Sequence, residues 1–177
     1  MIETTLALSL AFGALNAPLA NMAQLKTQSQ VPPAPAPSPT APADAWKKIL
    51  DTVKRDGREG TADGFSNQTL TGRTGDLWSV AADHGVVVSY FTGANGVSKV
   101  LAVEFTLSIF TSTAGTLRSD DWTIITRSSG KINSVIFNQR VKAPGDDLSA
   151  SAPVLVDPAD PKVKAIFDEM LQYWSTR

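Results

Sequence analysis

The sequence predicts an α+β domain in two layers. An antiparallel β-meander of about five strands packs, helix-grip-like, against an N-terminal and a C-terminal α-helix. Three observations predict this. Residues 99–111 alternate with period two, so Leu101, Val103, Phe105, Leu107 and Ile109 share one face while Ala102, Glu104, Thr106 and Ser108 share the other. Segments before and after the strands carry apolar residues at helical spacing. No helix-length segment separates the strands, so parallel crossovers are excluded.

Asp44 is an N-cap acceptor for a helix beginning at Ala45, and Trp46, Ile49, Leu50 and Val53 form its apolar face. Gly57 ends that helix. Residues 57–76 hold five glycines among many polar residues, and read as a loop around one short extended piece at 65–70. Residues 77–82 form a strand. Asp83-His84-Gly85 reads as a tight turn, with Gly85 in the left-handed position, and 86–92 as the next strand. Gly93-Ala94-Asn95-Gly96 turns the chain again into the alternating strand at 99–111. A loop through Gly115 leads to a strand at 121–127, and Ser128-Ser129-Gly130 turns into another at 131–141. Residues 144–158 read as a loop. Asp160 caps the last helix with Pro161 at its first position, and Val163, Ile166, Phe167, Met170, Leu171 and Trp174 form a continuous apolar face.

Ahead of this domain, at 44–177, lie two further segments. Residues 1–23 contain an uncharged apolar run, 6–15, whose length fits the core of an export signal and is short for a spanning helix. Small residues at Ala17, Ala20 and Ala23 offer cleavage points, whereas Met1-Ile2-Glu3 lacks the positive charge such signals carry. The expectation is a periplasmic or secreted protein. An uncleaved membrane anchor and an apolar arm are the alternatives. Residues 24–43 are a Gln/Pro-rich linker, with prolines at 32, 33, 35, 37, 39 and 42. So dense a run is extended polyproline II, a semi-rigid spacer.

Composition narrows the chemistry. Sixteen basic residues against seventeen acidic ones give a net charge of −1, which exerts no general pull toward nucleic acid or an anionic membrane. With no Cys and one His, thiol nucleophiles, disulfides, cysteine–zinc sites and a lipidated N-terminal cysteine are excluded. Phosphate-binding glycine loops and a nucleophile elbow are missing from the sequence. His84 reads as an exposed turn residue rather than a general base. The acid pairs Asp120-Asp121, Asp146-Asp147 and Asp168-Glu169, and Asp157 with Asp160, lack calcium-loop spacing and read as structural. No catalytic residue, metal ligand or cofactor is assigned.

Trp46 and Trp174 belong to the core by their helical phase. Trp78 and Trp122 each begin a strand and are candidates to line a rim, where aromatics stack sugars or bases. Phe105 and Leu107 would line a pocket between the sheet and the last helix. These four are the candidate ligand-binding residues. No motif carries a resemblance to a known family. The reading is a non-enzymatic envelope or interaction domain, exported on a proline-rich spacer and meeting a protein or cell-envelope partner. A small-molecule binder with its ligand between sheet and C-terminal helix is the alternative. A carboxylate-based hydrolase is the third, and it requires Asp120, Asp121, Glu104 or Asp146 in one cleft.

Overall fold

The structure is a computed structural model that describes residues 37–62, 65–75, 80–147 and 149–177. The apolar run at 1–23, most of the linker and Trp78 lie outside the described residues. The element order is α1 (Ala43–Asp56), β1 (Arg58–Ala62), β2 (Phe65–Gly75), β3 (Val80–Thr92), β4 (Ser98–Thr113), β5 (Thr116–Arg127), β6 (Ile132–Lys142), β7 (Ser149–Ala150), β8 (Val154–Val156) and α2 (Pro161–Ser175). The strands form one antiparallel sheet in sequential order from β1 to β7, with β8 also on β6. The two-layer α+β architecture is therefore as the alternation predicts, with a larger sheet than about five strands.

One face of the sheet is apolar. His84, Leu107, Trp122 and Phe137 stand in one cross-strand row, and Val86, Phe105, Ile124 and Val135 in the next. The two helices cover this face side by side, with α1 near β2 and β3 and α2 near β4. Ile49, Val53, Val163 and Met170 are completely buried there. Phe105 packs edge-on against Phe167, with ring centroids 5.9 Å apart, and lies 6.2 Å from the Trp46 ring. The opposite face carries Arg73, Asp83, Ser108 and Asp121 in register, and no helix among the described residues lies on it.

Several local expectations are corrected. Residues 83–85 are not a turn. β3 runs straight through them, and His84 is 3% exposed. Gly85 has no positive φ. Its role is space, because a Cβ there would overlap Thr106 Oγ1 on the paired strand. Residues 57–76 are a hairpin rather than a loop, β1 pairing β2 from Arg58↔Thr69 to Ala62↔Phe65. Leu101 leaves the apolar face. The register shifts beside Ser89 and Tyr90, so Tyr90 opposes Val100, and Leu101 is left 48% exposed. The segment 144–158 contains the short edge strands β7 and β8.

The helix starts differ for a geometric reason. α1 begins at Ala43 with Pro42 as its cap and no side-chain cap bond, so Asp44 sits inside the first turn. There its charge still complements the helix dipole. α2 follows the expectation: Asp160 Oδ1 accepts from Lys162 N at 2.7 Å, and Pro161 opens the helix. The end of the linker is also tied down. Ala41 N donates to Gly130 O and Ile132 N to Pro39 O, both at 3.0 Å, and Ala41 is buried.

The role of Gly85 is testable. Gly85→Ala is expected to cost about 1–3 kcal/mol through overpacking, measured by urea denaturation. Adding Thr106→Ala is expected to recover most of that loss. Additive losses in the double variant would show that the close approach is not what requires glycine.

Candidate functional site

Of the four candidate ligand-binding residues, Trp78 lies outside the described residues, and Phe105, Leu107 and Trp122 are packed in the core rather than around an open pocket. Phe105 and Leu107 are completely buried beneath the helices, and Phe105 is in contact with core aromatics on two sides. Trp122 is 4% exposed in the middle of β5 rather than at a rim. Its ring lies 4.6 Å from Phe137, and the Lys162 ammonium sits 4.9 Å above it. That contact tethers the first turn of α2 to the sheet. Strand alternation explains the outcome, since Leu107 and Trp122 are cross-strand partners and both point under the helices.

The acids proposed for a cleft are separated in the same way. Asp120 and Asp121 are neighbours in one strand and therefore face opposite sides. Asp120 is engaged by Arg118 and by Gln139 Nε2, at 3.1 and 2.9 Å. Asp121 takes a forked pair of bonds from Arg140 at 2.6 and 2.9 Å, and the Ser119 hydroxyl also donates to it. Burial works to raise the Asp121 carboxyl, but Arg140, Ser119 and Ser108 outweigh it and hold it below the ordinary range. Asp83 is paired with Arg73, whose guanidinium lowers its carboxyl. Asp146 lies in the exposed turn after β6. No three His, Asp or Glu side chains converge among the described residues.

His84 is the unexpected feature. Its ring is stacked on Tyr173 of α2, with centroids 3.6 Å apart and planes 5° from parallel. Arg177 lies over the Tyr173 ring at 4.2 Å, and Thr74 Oγ1 is 3.3 Å from His84 Nε2. Gly72, opposite His84 in β2, makes room, because a Cβ there would overlap the Tyr173 hydroxyl. His84 Nδ1, the Tyr173 hydroxyl and Trp174 Nε1 are buried without partners among the described residues. Burial lowers the imidazole pKa below its usual value, Arg177 lowers it further, and Asp83 opposes them. The ring is thus a neutral packing element that clamps the end of α2 to the sheet.

Two open cavities bordered by described residues are of ligand size. One, of about 410 Å³, lies on the helix-free face over Gly85, bordered by Thr71, Arg73, Asp83, Thr106 and Ser108. The missing side chain at Gly85 creates it, and the Arg73–Asp83 pair occupies its rim. The other, of about 620 Å³, lies beyond the C-terminal turn of α1 and is lined by Lys54, Glu59, Ser66, Gln68, Tyr90 and Ser98. Both are within the size range of small-molecule sites. In the larger one Tyr90 is half-buried, burial raises its phenol pKa, and its hydroxyl donates to Gln68 Oε1 at 3.0 Å. Neither cavity is lined by Phe105, Leu107 or Trp122. No periodicity flagged these linings, because they are polar residues from strands far apart in sequence.

Comparison with protein-family models, with curated proteins and with solved structures finds no match.

Two outcomes follow from this geometry. Leu107→Ala is expected to lose about 2–5 kcal/mol of stability, as for any large core truncation, read from the urea midpoint. Because the folded imidazole binds its proton less readily than the unfolded one, stability is full above pH ~6.5. It falls as pH is lowered through that value toward the folded pKa. His84→Phe, which keeps the stack, is expected to flatten the fall between pH 7.5 and 5. An unchanged pH profile in that variant would assign the dependence to another group.

Proposed function

We propose that the folded domain is a non-enzymatic interaction module, exported and held on the proline-rich spacer, that meets a protein partner of the cell envelope. The observation that carries this reading is an apolar cluster at one end of the sheet. Phe65, Phe91, Val97 and Leu101 are 39, 55, 50 and 48% exposed. They sit at the tips of two hairpins that end together, since Ser66 opposes Tyr90 and Thr92 opposes Ser98. The register that pairs Ser66 with Tyr90 brings Phe65 beside Phe91 on the helix-free face. Large apolar side chains exposed together are characteristic of a contact surface.

Two further observations support it. Asp120 and Asp121, two of the four candidate catalytic acids, are spent on arginine pairs. The helices, moreover, leave this end of the sheet open. No helix among the described residues is long and apolar enough to cross a membrane.

The test is a photo-crosslinking residue placed at Phe91 of the full chain in its source cells. A discrete protein adduct is expected at position 91 and none at Lys47, on the exposed side of α1. Phe65→Ser with Leu101→Ser, made beside the crosslinker at 91, should abolish it while leaving the urea midpoint unchanged. Absence of any adduct at 65, 91 and 101 would overturn the reading. The mature protein should also lack roughly twenty N-terminal residues by mass, the length of a cleaved signal.

A further inference from the structure

We infer that the cavity beyond α1 is a saccharide-binding groove, distinct from the apolar cluster and on the other face of the same strands. Its position follows from the sheet. Ser66, Gln68, Tyr90 and Ser98 belong to the helix-facing side of β2, β3 and β4, past the point where α1 ends at Asp56. The apolar pattern stops there. Val86 and Val88 are fully buried, whereas Tyr90, next in the same phase, is only half-buried. Beyond Val88 the face carries Ser66, Tyr90 and Ser98 beside Val100, and 620 Å³ of open space lies over it.

The donor and acceptor set selects the ligand class. The walls offer hydroxyls from Thr61, Ser66 and Ser98, planar amides from Asn67 and Gln68 and one aromatic ring, Tyr90. Hydroxyls and amides are paired donors and acceptors, which is what a ring of sugar hydroxyls requires. The flat ring of a tyrosine suits the apolar face of a pyranose. The Tyr90 hydroxyl already donates to Gln68 Oε1, which fixes the amide so that its nitrogen presents two N–H donors. That nitrogen has no partner among the described residues. Lys54 and Glu59 border the groove with opposite charges, so no net field favours an anion. A nucleotide or a phosphate would need uncompensated cations; a neutral polyhydroxylated ligand does not.

The experiment is amide NMR of the full chain titrated with cellobiose, maltose and N,N′-diacetylchitobiose, with uridine and inorganic phosphate as counter-probes. At least one disaccharide is expected to shift the Gln68, Tyr90 and Ser98 amides saturably, in the millimolar range. Gln68→Ala should weaken binding about tenfold, the effect of one lost hydrogen bond. Ser66→Val serves as a second variant should Gln68→Ala not fold. Phe65→Ser with Phe91→Ser should leave saccharide binding unchanged, which separates this groove from the proposed partner surface. The inference is overturned if none of the disaccharides shifts these amides at about 50 mM, a concentration that would reveal even very weak sites. It is equally overturned if binding survives both variants, or if uridine or phosphate saturates the site instead.

Discussion

A mismatch of lengths shapes this domain. β4 has sixteen residues and β3 thirteen. At about 3.4 Å per residue β4 extends roughly 50 Å. The helices have fourteen and fifteen residues, roughly 20 Å each at 1.5 Å per residue. Lying side by side, they cannot cover the whole of one sheet face. The sequence accommodates this by confining its large apolar side chains to the covered rows, where Val86, Val88, Val103, Phe105, Leu107, Ile124 and Val135 are completely buried. Past those rows the same face carries Ser66, Tyr90 and Ser98 beside Val100. The open end of this face is therefore a consequence of how much helix the chain supplies, and the groove lies in it.

The legible parts of the fold were those that bury a face. β4 was recognisable because its alternation is strict from Val103 to Leu107, and α2 because cap, proline and apolar stripe agree. The β1–β2 hairpin was hidden because it lies at the edge and buries none of its described residues fully, so it has no reason to alternate. Asp83-His84-Gly85 has the composition of a turn. The contrary signal was phase: Ala82, His84, Val86 and Val88 continue one period-two series, and a turn would have broken it. The Leu101 bulge leaves no mark in the sequence, because a slipped register keeps the same residues. The groove was unreadable for a related reason. Lys54, Gln68, Tyr90 and Ser98 are brought together only by strand pairing and by the point where α1 stops.

His84 shows how one polar residue can be tolerated in such a face. A neutral imidazole is flat and can stack, so Tyr173 covers it as a second aromatic ring would. The cost is the buried Nδ1 and the Tyr173 hydroxyl, each without a partner among the described residues. This corner is consequently less stable than the aliphatic rows beside it. It also lies where the last turn of α2 ends, the place at which a helix is easiest to fray. The sheet is thus firm under Phe105 and Phe167 and weaker at the His84 margin.

Ion pairs on the sheet take part of its charge out of recognition. The arginines that face acids are consumed locally: Arg73 by Asp83, Arg118 by Asp120 and Arg140 by Asp121. Exposed pairs of this kind contribute little to stability. They do cancel the field that would steer a charged ligand. What remains for recognition includes shape, apolar area and uncommitted hydrogen-bonding groups. On the helix-free face the apolar area is concentrated at Phe65 and Phe91. On the helix-facing side the uncommitted groups are concentrated around Gln68. Because successive residues of a strand point to opposite sides, Tyr90 and Phe91 present these two surfaces from adjacent positions. A ligand in the groove and a partner on the apolar cluster would therefore meet the same strand from opposite faces.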